Sequence, residues 1–283
     1  MQRTRTGLLV SAALAVVILM AACGGGGAAK KDQAKAEEWA WLTEAKQTLD
    51  SKRQELTDLV AQMDAEAAEV AEEVAEEVAE EVAEEAGEMA EEVGEVVAEV
   101  DLGAQVMELE GELENLTEEF SNRLVAFINA DPMIEGEEAT ESQMSALRMK
   151  SSEDIVLAQE WIVRGGDYKR AIEIVKTAMM FDTDNPELQA ALADFESKRY
   201  MTEEWFAAAE RGMTEDEVRR VLGQVNLHNL REYPDKNVVA WFYPTAEDGS
   251  AAAVWFQPEK GSEVLTAYQI KFKAIDPSQM AEE

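Results

Sequence analysis

The chain has 283 residues, with 60 acidic against 25 basic side chains, one histidine and one cysteine, for a formal net charge of −35. That balance argues against nucleic-acid binding, which needs a basic face, and composition alone gives anionic headgroups no positive face to meet. A single cysteine supports no disulfide framework. A single histidine, His228, weakens most metal and acid–base proposals.

In chain order, Arg3 and Arg5 precede an apolar run, residues 8–20, which meets Ala21, Ala22 and Cys23 and then four glycines, residues 24–27. A basic start, an apolar core and small residues before a cut describe a bacterial export signal. The core is shorter than the ~20 residues of a transmembrane helix. Met20-Ala21-Ala22-Cys23 resembles the lipobox of bacterial lipoproteins, with Met20 in the usual leucine position. The resemblance implies a signal peptide over 1–22, lipidation at Cys23, and the membrane as a partner through that anchor. At ~0.8 kcal/mol per buried methylene, the several acyl chains of such a cysteine keep a protein on its bilayer. Residues 23–31 then read as a glycine-rich tether. Gly24, in place of an aspartate, implies sorting to the outer membrane, facing the periplasm.

Residues 32–130 read as an acidic, coiled-coil-like helical stalk. Leu42, Leu49, Leu56, Met63 and Val70 recur every seven residues, and Leu59 and Val60 widen the stripe. A Val-Ala-Glu-Glu repeat follows, with Val70, Val74, Val78 and Val82 four apart. A helix advances ~100° per residue, so that line drifts ~40° per step and cannot form one straight seam. Seven-residue spacing returns at Met89, Val93, Val96 and Val100, and again at Val106, Leu109, Leu113, Leu116 and Phe120. Between Arg53 and Arg123 there is no lysine or arginine. Glu72, Glu76, Glu80 and Glu84 therefore repel one another along one line, at a few tenths of a kcal/mol per pair. The acidic face reads as solvated stalk in preference to a cation-binding surface. Gly103 interrupts the phase, and three readings stand there: a fold-back into a hairpin, a kinked continuous helix, or a dimeric coiled coil with self-association through the stalk.

Pro132 ends the stalk pattern, and residues 139–200 read as packed short helices. Ile155, Ala158, Ile162, Gly166-Asp167-Tyr168, Ala171, Ile172, Val175 and Ala178 resemble one tetratricopeptide repeat, with Gln159 and Ile162 departing from its pattern. Asn185-Pro186 then opens another helix, Asn as cap and Pro at its first position. One such repeat cannot bury its own faces, so a helical hairpin docked on its neighbours fits as well as a peptide-binding groove.

From Met201 the pattern changes again. Residues 202–211 read as a helix, and Gly212-Met213-Thr214 leads into a second one in which Thr214 and Glu217 form a capping box. Val218, Val221 and Leu222 face a core, and Gly223 stops the helix. Alternating runs at 238–243, 252–257 and 264–272 predict three antiparallel strands. Gly212-Met213-Thr214, Glu217-Val218 and Leu222-Gly223, followed by Trp241 and Tyr243, resemble the SmpA/OmlA family of small outer-membrane lipoproteins, the BamE-like fold. Over residues 201–275 the resemblance implies two helices and a three-stranded sheet, protein partners in the envelope, and mainly structural roles for the motif residues. Residues 276–283 read as an acidic tail.

No nucleophile–base pair, phosphate loop or dinucleotide fingerprint is legible. His228 reads as a surface residue, and Trp241 and Trp255 read as core. The expected fold class is mostly α with a C-terminal α+β domain. The expected function is non-enzymatic, without cofactor or metal: a lipid-anchored scaffolding or assembly factor in the envelope. The alternative is a periplasmic module whose acidic stalk binds divalent cations or a basic partner.

Overall fold

The computed structural model describes residues 28–81, 96–134, 138–258 and 264–276. Arg3, Arg5, Met20, Ala21, Ala22 and Cys23, and the tail from 277, lie outside the described residues. The architecture is mostly α with a C-terminal α+β domain.

Two long helices, α1 (Ala28–Glu81) and α2 (Val96–Ala130), pair antiparallel. The pairing is fixed by Lys35 with Asp131, Arg123 with Glu38, and Lys52 with Glu112. The seven-residue seam works as expected near the base. Leu42 and Leu49 of α1 and Leu109, Leu113, Phe120, Leu124 and Phe127 of α2 are buried against one another. Gly103 does not mark the fold-back. It lies inside α2, where an added Cβ would meet nothing within 4 Å, so it neither caps the helix nor admits a close neighbour. A helix interior tolerates glycine at a cost of ~1 kcal/mol when the flanking residues carry the pairing. The connection between the two helices falls within residues 82–95, outside the described residues.

A third helix, α3 (Glu141–Gly165), lies along this pair. Thr140 and Gln143 form a capping box at its start, and Gly166 closes it in the left-handed conformation at φ 59°. Its anchor is Glu153, which is 9% exposed. Arg53 donates to both carboxylate oxygens of Glu153 at 3.0 and 2.8 Å, and the Lys46 ammonium lies 3.3 Å away. Burial alone would push the Glu153 carboxyl up; Arg53 and Lys46 together hold it below the usual range. Past this clamp α1 continues from Arg53 to Glu81, a further ~40 Å at 1.5 Å per residue. The helical body therefore starts at the base of the pair, where Gln143 meets Asp131, and climbs along it to be clamped about midway up α1, ~38 Å from Ala28; the rest of the pair projects beyond.

Helices α4 (Tyr168–Met179) and α5 (Pro186–Lys198) complete the helical body. Its core is Ala158, Ala171, Ile172, Val175, Ala178, Leu188 and Phe195, as the repeat-like pattern predicts. A buried polar set ties the corner between them. Asn185 donates to Asp182 at 2.7 Å, Ser151 of α3 donates to the same oxygen at 3.3 Å, and Asn185 caps α5. Each of these buried polar groups thus has a partner.

The terminal domain has two helices and four strands, one more than expected. Helix α6 (Glu203–Phe206) is far shorter than the predicted 202–211, because the chain must turn to bring the Gly212 N–H onto the Ala267 carbonyl at 2.9 Å. Helix α7 (Glu215–Leu222) carries the predicted box, Thr214 and Glu217 each bonding the other's backbone N–H. Thr214→Ala should lower stability by ~1 kcal/mol in urea titration. Strands β1 (Leu230–Tyr233), β2 (Val238–Pro244), β3 (Ala251–Pro258) and β4 (Leu265–Ile275) form one antiparallel sheet in chain order. The extra strand, β1, has an exposed pattern with no buried alternation, since it is a short edge strand held by pairing Leu230 with Trp241 and Tyr233 with Val238. The sheet and α7 enclose Val218, Leu222, Val225, Trp241, Tyr243, Val254 and Phe256.

Candidate functional site

The motif residues turn out to hold the domain together. Gly212, at φ 93°, and Met213 run beside β4: the Ala267 N–H bonds the Met213 carbonyl at 2.8 Å, and Thr214 bridges to Thr266. The segment thereby covers part of an edge that would otherwise present free backbone groups. Val218 and Leu222 are core, and Glu217 caps. Gly223 ends α7 at φ 82°, and the Tyr243 hydroxyl donates to its carbonyl at 3.3 Å. Burial pushes the Tyr243 hydroxyl pKa up, against the opposing charge of Arg219. Trp241 is 2% exposed, its ring tilted against that of Phe256 with centroids 4.7 Å apart. Trp255 meets Phe242 edge-on at 6.1 Å on the other face. His228 is exposed in the turn Leu227–Asn229.

What sequence reading missed lies between the modules. The α3–α4 turn is seated on the chain that leaves α7. A Cβ on Gly166 would stand 2.3 Å from the Gln224 carbonyl oxygen and 2.8 Å from the Asn226 nitrogen. That close approach forms one side of a cleft of about 590 Å³ between helical body and terminal domain. Its walls are apolar and aromatic, with Ile162, Tyr168, Met201, Trp205, Leu222 and Phe242 among them. Trp205 is fixed there by donating its indole N–H to the Val221 carbonyl at 2.9 Å. Four cations line the same cleft, Lys169, Lys198, Arg199 and Arg219, against two acids, Asp167 and Glu247. Asp167 is engaged in capping α4 through the Arg170 N–H. Lys198 pairs with Asp194, and Arg219 pairs with Asp216 while its guanidinium lies 5.4 Å from the Trp241 ring. Arg199 lies over the Tyr200 ring at 4.8 Å. In a chain so acidic, this grouping is a local inversion of charge that composition conceals.

A second depression of about 830 Å³ runs along α2, α3 and α4. It is apolar, and several of its side chains stand open to solvent: Met180 is 76%, Phe181 63% and Leu157 45% exposed. Lys150 and Asp154 pair across its rim.

Among the described residues, no helix is long and apolar enough to cross a membrane, and no group of three or more His, Cys, Asp or Glu side chains is placed to hold a metal ion. Comparisons with protein-family models, with curated proteins and with solved structures each find no match to this chain.

Proposed function

We propose that this chain is a lipid-anchored envelope protein that scaffolds other envelope proteins without catalysis, presenting its terminal α+β domain to them. The observation that carries the reading is the mounting of that domain. Glu153 locks the helical body onto the middle of α1 in the α1–α2 pair, and Gly166 seats the terminal domain on the helical body. A domain so held is displayed in a fixed orientation on the flank of the helix pair, at the end of α3 that lies away from the N-terminal end of α1 where the Cys23 anchor would attach. Rigid presentation lowers the ordering cost of binding a partner. The resemblance of Gly212-Met213-Thr214 and Leu222-Gly223 to the SmpA/OmlA pattern adds outer-membrane protein assembly as the setting.

The test is a crosslinked pull-down from cells of the native host, comparing the full chain with one ending at Tyr200 and with Cys23→Ser. The full chain should fractionate with membranes and capture envelope proteins that the truncated chain loses, and Cys23→Ser should leave the membrane fraction. An identical set of captured proteins with and without the terminal domain would refute its role as the presented surface.

A further inference from the structure

We propose that the cleft between the α3–α4 turn and the terminal domain is a binding site for a soluble amphipathic acid, a carboxylate carried on an aliphatic or aromatic body. This stands apart from the scaffolding reading and would hold whether or not the terminal domain meets a protein.

Size comes first. About 590 Å³ falls within the ~300–1,000 Å³ of small-molecule sites, so the cleft suits a single small ligand. The lining then sets the chemistry. Trp205, Met201, Leu222 and Phe242 from the terminal domain and Ile162 and Tyr168 from the helical body supply an apolar surface, which favours an apolar ligand body. Lys169, Lys198, Arg199 and Arg219 outnumber Asp167 and Glu247 around it. Lys169 and Arg199 have no ion-pair partner among the described residues, whereas Lys198 and Arg219 do. A ligand carboxylate meeting Lys169 or Arg199 would therefore gain a charge-assisted hydrogen bond without breaking an existing pair. Glu247, exposed on the β2–β3 turn, also lines the cleft and would disfavour a ligand that carries a second negative group beside it.

The cleft is also preformed. Three backbone atoms of residues 224–226 stand against the Gly166 position, and the Trp205 indole is hydrogen-bonded in place. Both walls are therefore set before any ligand arrives. The larger groove along α2, α3 and α4 lacks this combination, because Lys150, Arg170 and Lys176 at its rim are each paired with a carboxylate.

The experiment uses the full mature chain carrying Cys23→Ser, so that no detergent is present. Decanoate is titrated by calorimetry and by the fluorescence change of its tryptophans, alongside decanol and decyltrimethylammonium. Decanoate should bind saturably at one site, at least ~10-fold tighter than decanol, since one charge-assisted contact commonly contributes that much. Lys169→Gln combined with Arg199→Gln should weaken decanoate by ~10-fold or more with the circular dichroism spectrum unchanged. Phe181→Ser, in the other groove, should leave its affinity as it was. Equal affinity for decanoate and decanol overturns the proposal, as does decanoate affinity indifferent to the double substitution or lost in Phe181→Ser. So does association with phosphatidylglycerol vesicles in the absence of any decanoate binding.

Discussion

Gly166→Ala is expected to destabilise the protein by about 2–5 kcal/mol and to uncouple the terminal domain from the helical body. Two costs combine. Gly166 sits at φ 59°, a left-handed conformation that a side chain adopts with strain. The new Cβ would also stand 2.3, 2.8 and 2.9 Å from atoms of Gln224, Asn226 and Val225, all of them backbone. Backbone cannot swing aside as a flexible side chain can, so relief requires the two modules to part. Calorimetry should show a lowered main transition that splits in two, one for the helical body and one for the terminal domain. Gly165→Ala is the control. An alanine Cβ there meets nothing within 4 Å, and the position lies at the end of α3. It should leave stability unchanged or raise it by up to ~1 kcal/mol. A single unshifted transition in Gly166→Ala would mean that the seating does not couple the modules.

Glu153→Ala is expected to cost about 2–4 kcal/mol, somewhat below the usual figure for breaking a buried ion pair. The discount follows from geometry: Arg53 keeps 21% of its side-chain exposure and has Asp50 at 3.6 Å, and Lys46 keeps its bond to Asp50. Replacing both partners, Arg53→Met with Glu153→Met, should recover most of the loss, because no stranded charge remains. The pair also gives an acid dependence whose sign is fixed. The folded-state pKa of Glu153 is depressed, so its contribution is fully present above the ordinary glutamate value, ~4.3. That contribution is lost as pH falls through the depressed folded value. Urea titrations from pH 7 down to pH 3 should therefore show the wild type losing stability below ~pH 4.3 more steeply than Glu153→Gln does. Parallel curves would mean that the carboxylate is not held by its partners.

These two residues mark where sequence reading succeeds and where it stops. The stalk seam at Leu42, Leu49, Leu109, Leu113 and Phe120 was legible because helical burial repeats every three to four residues, and periodicity is a local signal. Asn185 and Thr214 were legible for the same reason: a cap bonds a backbone N–H within three residues of itself. Trp241, Tyr243, Val254 and Phe256 announced a sheet face by alternating. Strand β1 did not, since an edge strand with four mostly exposed residues has no buried face to alternate. Gly103 misled because a glycine inside a helix and a glycine after one look alike when read singly.

The mounting and the cleft had no local signal. Arg53 and Glu153 are 100 residues apart, and nothing near either one identifies the other among so many carboxylates. Gly166 reads as an ordinary helix terminator, and only the docked terminal domain makes its missing Cβ a requirement. Lys169, Arg199 and Arg219 come from three separate segments of an acidic chain and become a basic rim once those segments meet. Thus the sequence by itself determined the helices, their caps, the sheet and the overall class, because each is set by residues a few positions apart. The tertiary structure alone decided that the body is clamped to the middle of α1 and that a cationic cleft lies between body and terminal domain, because both depend on contacts between distant residues that leave no periodic trace.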